Sequence, residues 1–456
     1  MKWIRFKTHF PKTFSLAYPV MLSQLGNVMV GVADSMMVGR LGAETLAAAS
    51  LANSIFFVVM MFGIGISMAI TPLVAAADGE GKKKRIGRVF NHGFVINTFS
   101  GFALLLIILL AIPGLYHLNQ PKGVVDLAIP YLGIITASLI PFMFFQTFKQ
   151  FTEGLSQTKQ AMFIIIFCNI INVFLNWVMI YGNLGFPALG LNGAGWATLA
   201  SRILMGVMIF YYLWNSKRYK SYQLGLNFKK LSFPLTSKIL QIGVPTGFQF
   251  IFEVGAFSAA AIMMGWIGVN ALAAHQIAIN LASISYMMAS GLSAAAMVRV
   301  GNQFGRNDIK SLREIGFTSF AMVLIFMLFF ACILIGFRNF LPTLYINDLP
   351  VVEMTASLLI IAGLFQLSDG IQVVGLGALR GMADVKIPTI ITLVAYWVVG
   401  LPLGYLLAFH GGFNEQGIWY GLLVGLTSTG LLLVYRFNRL SRNLDKRRMK
   451  ESELQN

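Results

Sequence analysis

The sequence predicts an all-α polytopic membrane protein with twelve transmembrane helices in two parallel-repeat lobes of six. Three observations lead there. Of 456 residues, 57% are hydrophobic and only 11% charged, against ~25% charged in soluble domains. Twelve apolar runs are long enough to cross a hydrocarbon core of ~30 Å. The stretch from Pro19 to Glu80 is written a second time, without a gap, as Pro245 to Arg306.

The repeat holds a constant shift of 226 positions. Gly39 falls on Gly265, Gly42 on Gly268, and Leu46-Ala47-Ala48 on Leu272-Ala273-Ala274. Gly65 meets Gly291, Ser67 meets Ser293 and Gly79 meets Gly305. A fixed offset with the glycines in register marks an internal duplication. Further along it persists with small insertions: Gly154 and Lys159 match Gly381 and Lys386 at 227, and Trp196 matches Trp419 at 223. The acids are not duplicated, since Asp34 stands opposite Ala260 and Glu253 opposite Asn27.

Taken in order, the apolar runs lie near 14–38 and 50–77, parted by the glycine-rich join Gly39 to Gly42. The next two, near 91–113 and 126–148, follow the basic loop 78–90 and a short turn holding Lys122. Two more, near 161–182 and 192–214, complete the first half. After the polar connection 215–236 come runs near 237–263, 275–298, 315–337, 350–374, 388–409 and 416–435. The lobes are thus 1–214 and 237–437, with a tail at 438–456.

Basic residues test the count. Of 34 Lys and Arg, 30 fall in the N-terminal arm, the tail and alternate loops. Arg40, Lys122 and Arg338 alone fall on the other side, and Arg202 lies inside a run. Positive charge marks the cytoplasmic side, so both termini are expected there. With an even number of crossings per half, the two copies share one orientation, as in parallel-repeat transporters.

Composition also excludes classes. The net charge of +17 sits in short loops, where it sets orientation and does not form a nucleic-acid surface. Cys168 and Cys332 each lie in an apolar run, which gives neither a disulfide framework nor metal-ligand spacing. The basic stretch Met1 to Lys12 leads into no short apolar core with a cleavage site, so no cleaved signal peptide is expected. Phosphate-binding loops and nucleophile elbows are missing from the sequence, and an enzyme or ATP-driven pump is not expected.

Fourteen of the 17 acids fall in loops, tails or helix ends; Asp34, Glu253 and Asp369 do not. A carboxylate at mid-membrane costs about 2.5–3.5 kcal/mol on insertion scales, so it faces a cavity or a partner and works there. Each has polar company at helical spacing. Gln24, Asn27, Gly31 and Asp34 share one face of the first helix; Gln249 precedes Glu253 by one turn. Gln366, Asp369 and Gln372 step by three, and Gln276, Asn280 and Ser283 mark the eighth helix. Asn169, Asn172 and Asn176 stripe the fifth. Such stripes line water-accessible cavities; taken singly, Asn and Gln also glue membrane helices together. His275 reads as a packing or capping residue. Arg202 pairs with a carboxylate or with backbone carbonyls, and the sequence leaves both open.

These residues carry a resemblance. The segment Leu272-Ala-Ala-His-Gln-Ile-Ala, with Gly291-Leu-Ser and Val300-Gly-Asn-Gln-Phe-Gly305, resembles the eighth helix and following loop of the MATE (multidrug and toxic compound extrusion) family, NorM-type branch. Asp34 between Ala33 and Ser35, and the paired Glu153-Gly154 and Arg380-Gly381, are similar to that family's first-helix acid and paired loops. The resemblance implies two six-helix lobes around a central cleft and a secondary multidrug antiporter, exporting cationic or amphiphilic drugs for Na⁺ or H⁺ by alternating access. It implies Asp34 with Asn172, Asn176 and Thr198 as the N-lobe pocket, and Glu253 with Asp369 as the C-lobe cation site, where Na⁺ would sit. It also implies a bend of the first helix at Pro19. Asn176 stands where some relatives carry a second acid, which favours protonation of Asp34 over an N-lobe Na⁺ site.

The expected partners are small-molecule drugs and the lipid bilayer, with no nucleic acid, no ATPase subunit and no cofactor beyond the coupling ion. A monomer in a bacterial cytoplasmic membrane is expected. The rival is a lipid or lipid-linked oligosaccharide flippase. An anionic headgroup would favour buried bases, and by sequence the runs hold three acids against Arg202.

Overall fold

The computed structural model describes residues 3–117, 120–222, 224 and 231–453. Parts of the N-terminal arm, of the 215–236 connection and of the tail, with Lys2, Lys229 and Lys230 of the basic count, lie outside the described residues. Among the described residues the regular structure is helical throughout. Twelve helices are long and apolar enough to span a membrane, as expected. They are α1 (Thr8–Gly39), α2 (Ala43–Gly79), α3 (Lys83–His117), α4 (Lys122–Gly154), α5 (Lys159–Tyr181) and α6 (Leu191–Asn215). The second set is α7 (Phe233–Ile267), α8 (Val269–Gly305), α9 (Ile309–Gly336), α10 (Leu349–Gly381), α11 (Lys386–Phe409) and α12 (Asn414–Lys446). In hydrocarbon no water pairs with backbone groups, so a helix, which satisfies its own, is what such apolar runs adopt.

Local chemistry sets the ends and interruptions. The Asp308 and Asp348 carboxylates accept the backbone N–H groups of Ser311 (3.1 Å) and Val351 (3.3 Å), capping α9 and α10. Turns at Met68-Ala69 and at Ser138 interrupt α2 and α4. In α11 the stretch Val394–Gly400 is a π-helical turn. It is followed by glycine packing, with Gly404 facing Ile418 and Gly421 of α12, and Gly417 facing Ala408.

The chain divides into two compact units, Leu22–Gly247, and Met1–Met21 with Phe248–Asn456. The division passes inside α1 and α7, two residues beyond Pro19 and Pro245, each of which sits within continuous helix. Proline removes one intrahelical bond, so both helices change company where their backbone ladder is incomplete.

Inside each unit the duplication is visible as the same contact made twice. In Leu22–Gly247, Gly65 of α2 lies so close to the backbone of Gly247 of α7 that any Cβ would collide with it. In the other unit Gly291 of α8 meets Met21 and the Ala17 carbonyl of α1, the positions 226 away. Gly154 packs against Thr71 and Val74, and Gly381 against Met297 and Val300. Backbone torsions repeat as well. Gly42 (φ 122°) pairs with Gly268 (φ 157°), Gly81 (φ 71°) with Asn307 (φ 56°), and Ser156 (φ 62°) with Ala383 (φ 58°). Glycine supplies such torsions without a steric cost, and Asn tolerates them better than most.

Each unit then fills its interior differently. Leu22–Gly247 stacks Phe90, Phe94, Phe144, Phe148 and Phe151 edge to face. The other packs small alanines of α7 and α8 around Phe365 and the fully buried Trp419. His275 lies edge-on to Trp419 at 5.6 Å, a packing residue as expected.

Glycine 65 therefore provides the sharpest test of this packing. Gly65→Val should lower the melting temperature of the purified protein by several degrees, since overpacking costs about 1–3 kcal/mol. Gly31→Ala, which meets nothing within 4 Å, should leave it unchanged. Equal melting temperatures for the two variants would contradict the close contact.

Candidate functional site

In Leu22–Gly247, helices α1 and α5 run side by side in the same direction and are joined by a polar ladder. Asn169 Nδ2 donates to Asn27 Oδ1 at 3.3 Å, and Asn176 Nδ2 donates to Asp34 Oδ1. Each helix contributes residues seven apart, two turns, so both rungs lie on one face. A third rung joins Tyr181 Oη to the Met37 carbonyl at 2.8 Å. Asn176, fully buried, also donates to Asn172 Oδ1 at 3.2 Å. The structure thus brings together Asp34, Asn27, Asn169, Asn172 and Asn176. Gln24 and Thr198 are part-buried on α1 and α6, and neither enters this ladder.

Around Asp34 stand groups that the stripes did not reveal. Tyr131 of α4 is buried, bonds Asn53 of α2 at 3.2 Å, and lies within electrostatic reach of Asp34 and Arg202. Arg202, midway along α6, takes neither partner proposed for it. Its Nη1 donates to Ser138 Oγ at 2.6 Å and its Nη2 meets Met60 Sδ at 3.6 Å. The guanidinium lies over Phe56 and Phe142, 5.0 and 4.9 Å from the ring centroids. Aromatic faces attract such a cation, and Ser138 is available because α4 is interrupted there.

In the other unit Glu253 and Asp369 are buried, 6% and 5% exposed, and Asp369 lies within electrostatic reach of Glu253. Two buried like charges close together are tolerated only with a cation or a proton between them. Tyr286 and Tyr396 lie within electrostatic reach of both acids, and Arg380 lies within reach of Glu253. The π-helical turn of α11 bonds to α10 and to α7 next to Glu253. Tyr396 donates to Gln372 Oε1 at 3.0 Å, and Trp397 Nε1 donates to the carbonyl of Phe252 at 3.0 Å. Gln366 accepts from Ser285 at 2.7 Å, and Gln249 accepts from Arg380 at 3.3 Å. Among the described residues no cluster of three or more His, Cys, Asp or Glu could hold a metal ion. Any cation at Glu253 and Asp369 would draw its remaining oxygens from neutral side chains or water.

One expectation changes. Arg380, counted by sequence in the 380–387 loop, is in the last turn of α10 and 4% exposed, against Gln249 and the Phe250 ring. Arg380 is therefore a buried base within a helix, and Arg202 is a part-buried one. Gln276 and Asn280, placed with the C-lobe cavity residues, are exposed one turn apart on α8. The tyrosines escaped notice because an aromatic residue in an apolar run reads as lipid-facing. Arg380 was findable, since the repeat sets it opposite Glu153, which is also buried and paired with Lys149 at 3.1 Å.

The MatE family model matches residues 19–178 and 245–406, two segments whose starts are again 226 apart. A probable multidrug resistance protein NorM of Agrobacterium fabrum is 35% identical over 435 residues, 94% of each chain. The multidrug resistance protein MdtK of Yersinia enterocolitica is 33% identical over 437 residues, 94% of this chain and 95% of that one. Among solved structures, a eukaryotic MATE transporter superposes with a TM-score of 0.86 at 22% identity, covering 97% of this chain and 99% of that one. A MOP superfamily transporter from Pyrococcus furiosus gives 0.87 at 20%, covering 95% and 96%. At these identities the structures speak to fold.

The buried acids depend on the neutral groups around them. Gln372 is fully buried and its Nε2 has no partner, so Tyr396 provides its one bond. Tyr396→Phe should cost about 1–3 kcal/mol and lower the melting temperature measurably. Gln276→Ala and Asn280→Ala, both exposed, should stay within about 0.5 kcal/mol of the parent. A parent-like melting temperature for Tyr396→Phe would show that the hydroxyl does not support this cluster.

Proposed function

This chain belongs to the MatE family, and from that premise we propose that it is a secondary multidrug efflux antiporter of a bacterial cytoplasmic membrane. It exports cationic or amphiphilic drugs in exchange for Na⁺ or H⁺ by alternating access, with more than one ion entering per monovalent cation where the membrane potential is to drive it, as a monomer without an ATPase subunit and with both termini cytoplasmic. The names of its relatives support drug export. The observation that carries the exchange is the burial of two acids, Glu253 and Asp369, on membrane helices of one unit, with Asp369 within electrostatic reach of Glu253. Acids so placed are stable only when something positive is shared between them.

The two lobes divide the work. Glu253 and Asp369 hold the coupling ion, Na⁺ in the first instance, with Tyr286, Tyr396 and Gln372 as neutral oxygens around it. Asp34, held by Asn176, takes a proton or the cationic end of a drug. Aromatic and methionine side chains accommodate the apolar remainder loosely. One charge moving across 100 mV supplies about 2.3 kcal/mol, which is sufficient to export a dilute solute against a gradient of more than tenfold. A flippase for anionic headgroups would need buried bases free for phosphate; Arg380 already engages Gln249 and lies beside Glu253.

Proteoliposomes with Na⁺ and pH gradients imposed separately test the reading. Ethidium efflux should respond to at least one gradient, and indifference to both would refute antiport. Asp369→Asn should reduce efflux at least tenfold with protein still in the membrane. Glu253→Gln should weaken Na⁺ dependence, and Asp34→Asn should impair transport with an altered pH profile. Parent kinetics in any of these would remove that residue from the mechanism.

A further inference from the structure

Helix α12 does not stop where its apolar run does. It continues as one helix from Asn414 to Glu453, 40 residues, about 60 Å at 1.5 Å per residue. That is twice the ~30 Å of a hydrocarbon core. One face of the extension is docked within its own unit. Phe437 meets Phe317 and Phe320 of α9 edge to face, at 5.7 and 5.8 Å. Arg313 of α9 donates to the Asn438 carbonyl at 3.0 Å, to Asn438 Oδ1 at 2.8 Å and to Ser441 Oγ at 2.6 Å. Arg436 grips both oxygens of Asp384, at 2.6 and 2.8 Å.

The opposite face is a single exposed stripe. Leu431, Tyr435, Arg439, Arg442 and Lys446 follow at spacings of four, four, three and four, with Leu432 beside the first. Such spacings stay on one side of a helix. Leu431 and Tyr435 are 65% and 61% exposed, while Leu433, Phe437 and Ser441 behind them are fully buried. The stripe changes chemistry in the order that a bilayer leaflet does. Leucines suit acyl chains, and tyrosine favours the interface. Arg439 and Arg442 lie about 6 and 10 Å further along the axis. A headgroup layer is roughly 5–7 Å thick, and long arginines reach back into it. No carboxylate lies within 4.0 Å of Arg439, Arg442 or Lys446 among the described residues, and a guanidinium fork matches phosphate. We infer that this stripe binds an anionic phospholipid, its acyl chain along Leu431 and Leu432 and its phosphate between Arg439 and Arg442. A zwitterionic lipid brings its own cation to the arginines and is held less firmly. The site lies outside the export reading and stands or falls without it.

The probes are dioleoylphosphatidylglycerol and dioleoylphosphatidylcholine, which share their chains and differ in headgroup charge. Each is added to the purified full-length protein in a neutral detergent, and retained lipid is counted by native mass spectrometry. The anionic lipid should be retained at least fivefold more. Arg439→Gln combined with Arg442→Gln should bring the ratio close to equality. Lys83→Gln combined with Lys84→Gln removes the same charge from exposed positions at the start of α3, and should leave the ratio at the parent value. Glycerol phosphate, which has the anion without the chains, and polyglutamate should not displace the lipid. No preference in the parent, an unchanged ratio in the arginine pair, or an equal loss in the lysine pair would overturn the inference. Displacement by either soluble anion would overturn it as well, and would mark the patch as a dock for soluble anions.

Discussion

Backbone meeting backbone, at Gly65 with Gly247 and again at Gly291 with Ala17 and Met21, is the constraint from which the rest of the molecule follows. Lipid supplies no hydrophobic force to drive helices together, so close packing through small residues must hold them. These contacts fix α1 and α7, the two helices that change company just past Pro19 and Pro245. Asp34 and Glu253 are carried on the stretches beyond those points. The glycines thus locate the acids, and the surrounding polar residues decide what the acids can do.

Much of this was legible in the sequence. Apolar runs long enough to span a bilayer admit few structures besides helices, and all twelve were found. Glycines in register announced the duplication, and the torsions at Gly81 and Asn307 or Ser156 and Ala383 bear it out. The ladder between α1 and α5 was visible as two stripes, because Asn27 and Asp34 share the spacing of Asn169 and Asn176. The sequence was silent where a residue's meaning depends on a distant neighbour. Arg202 gives no hint that its partners are Ser138, Met60 and two rings. Tyr131, Tyr286 and Tyr396 look like their lipid-facing counterparts until the fold turns them inward. Arg380 was assigned to a loop because charge was used to mark helix ends, and here the charge lies inside the helix, in its last turn.

The duplicated skeleton carries chemistry that is not duplicated. One unit has a single acid on a ladder of amides with an arginine held by aromatic faces. The other has two buried acids, with two tyrosines within their electrostatic reach and an arginine engaged with Gln249. A symmetric frame gives both halves the same mechanical options, and separate side chains allow each to answer a different solute. Neither unit alone contains both the paired acids and the amide ladder.

The wide turn in α11 fixes the direction in which the rest of that helix looks. A π-helical turn spends one residue more than an α-helical one, and each residue of an α-helix rotates the chain by about 100°. Everything after Gly400 is therefore swung by that angle from where an uninterrupted helix would have aimed it. The swing points Gly404 and Ala408 at Gly421 and Gly417 of α12, and these glycines admit no other approach so close. Deleting a single residue between Val394 and Gly400 would shorten the helix by little. It would remove the residue that the wide turn absorbs, so a regular α-helix would then carry the glycine seam to α12 in nearly the same direction.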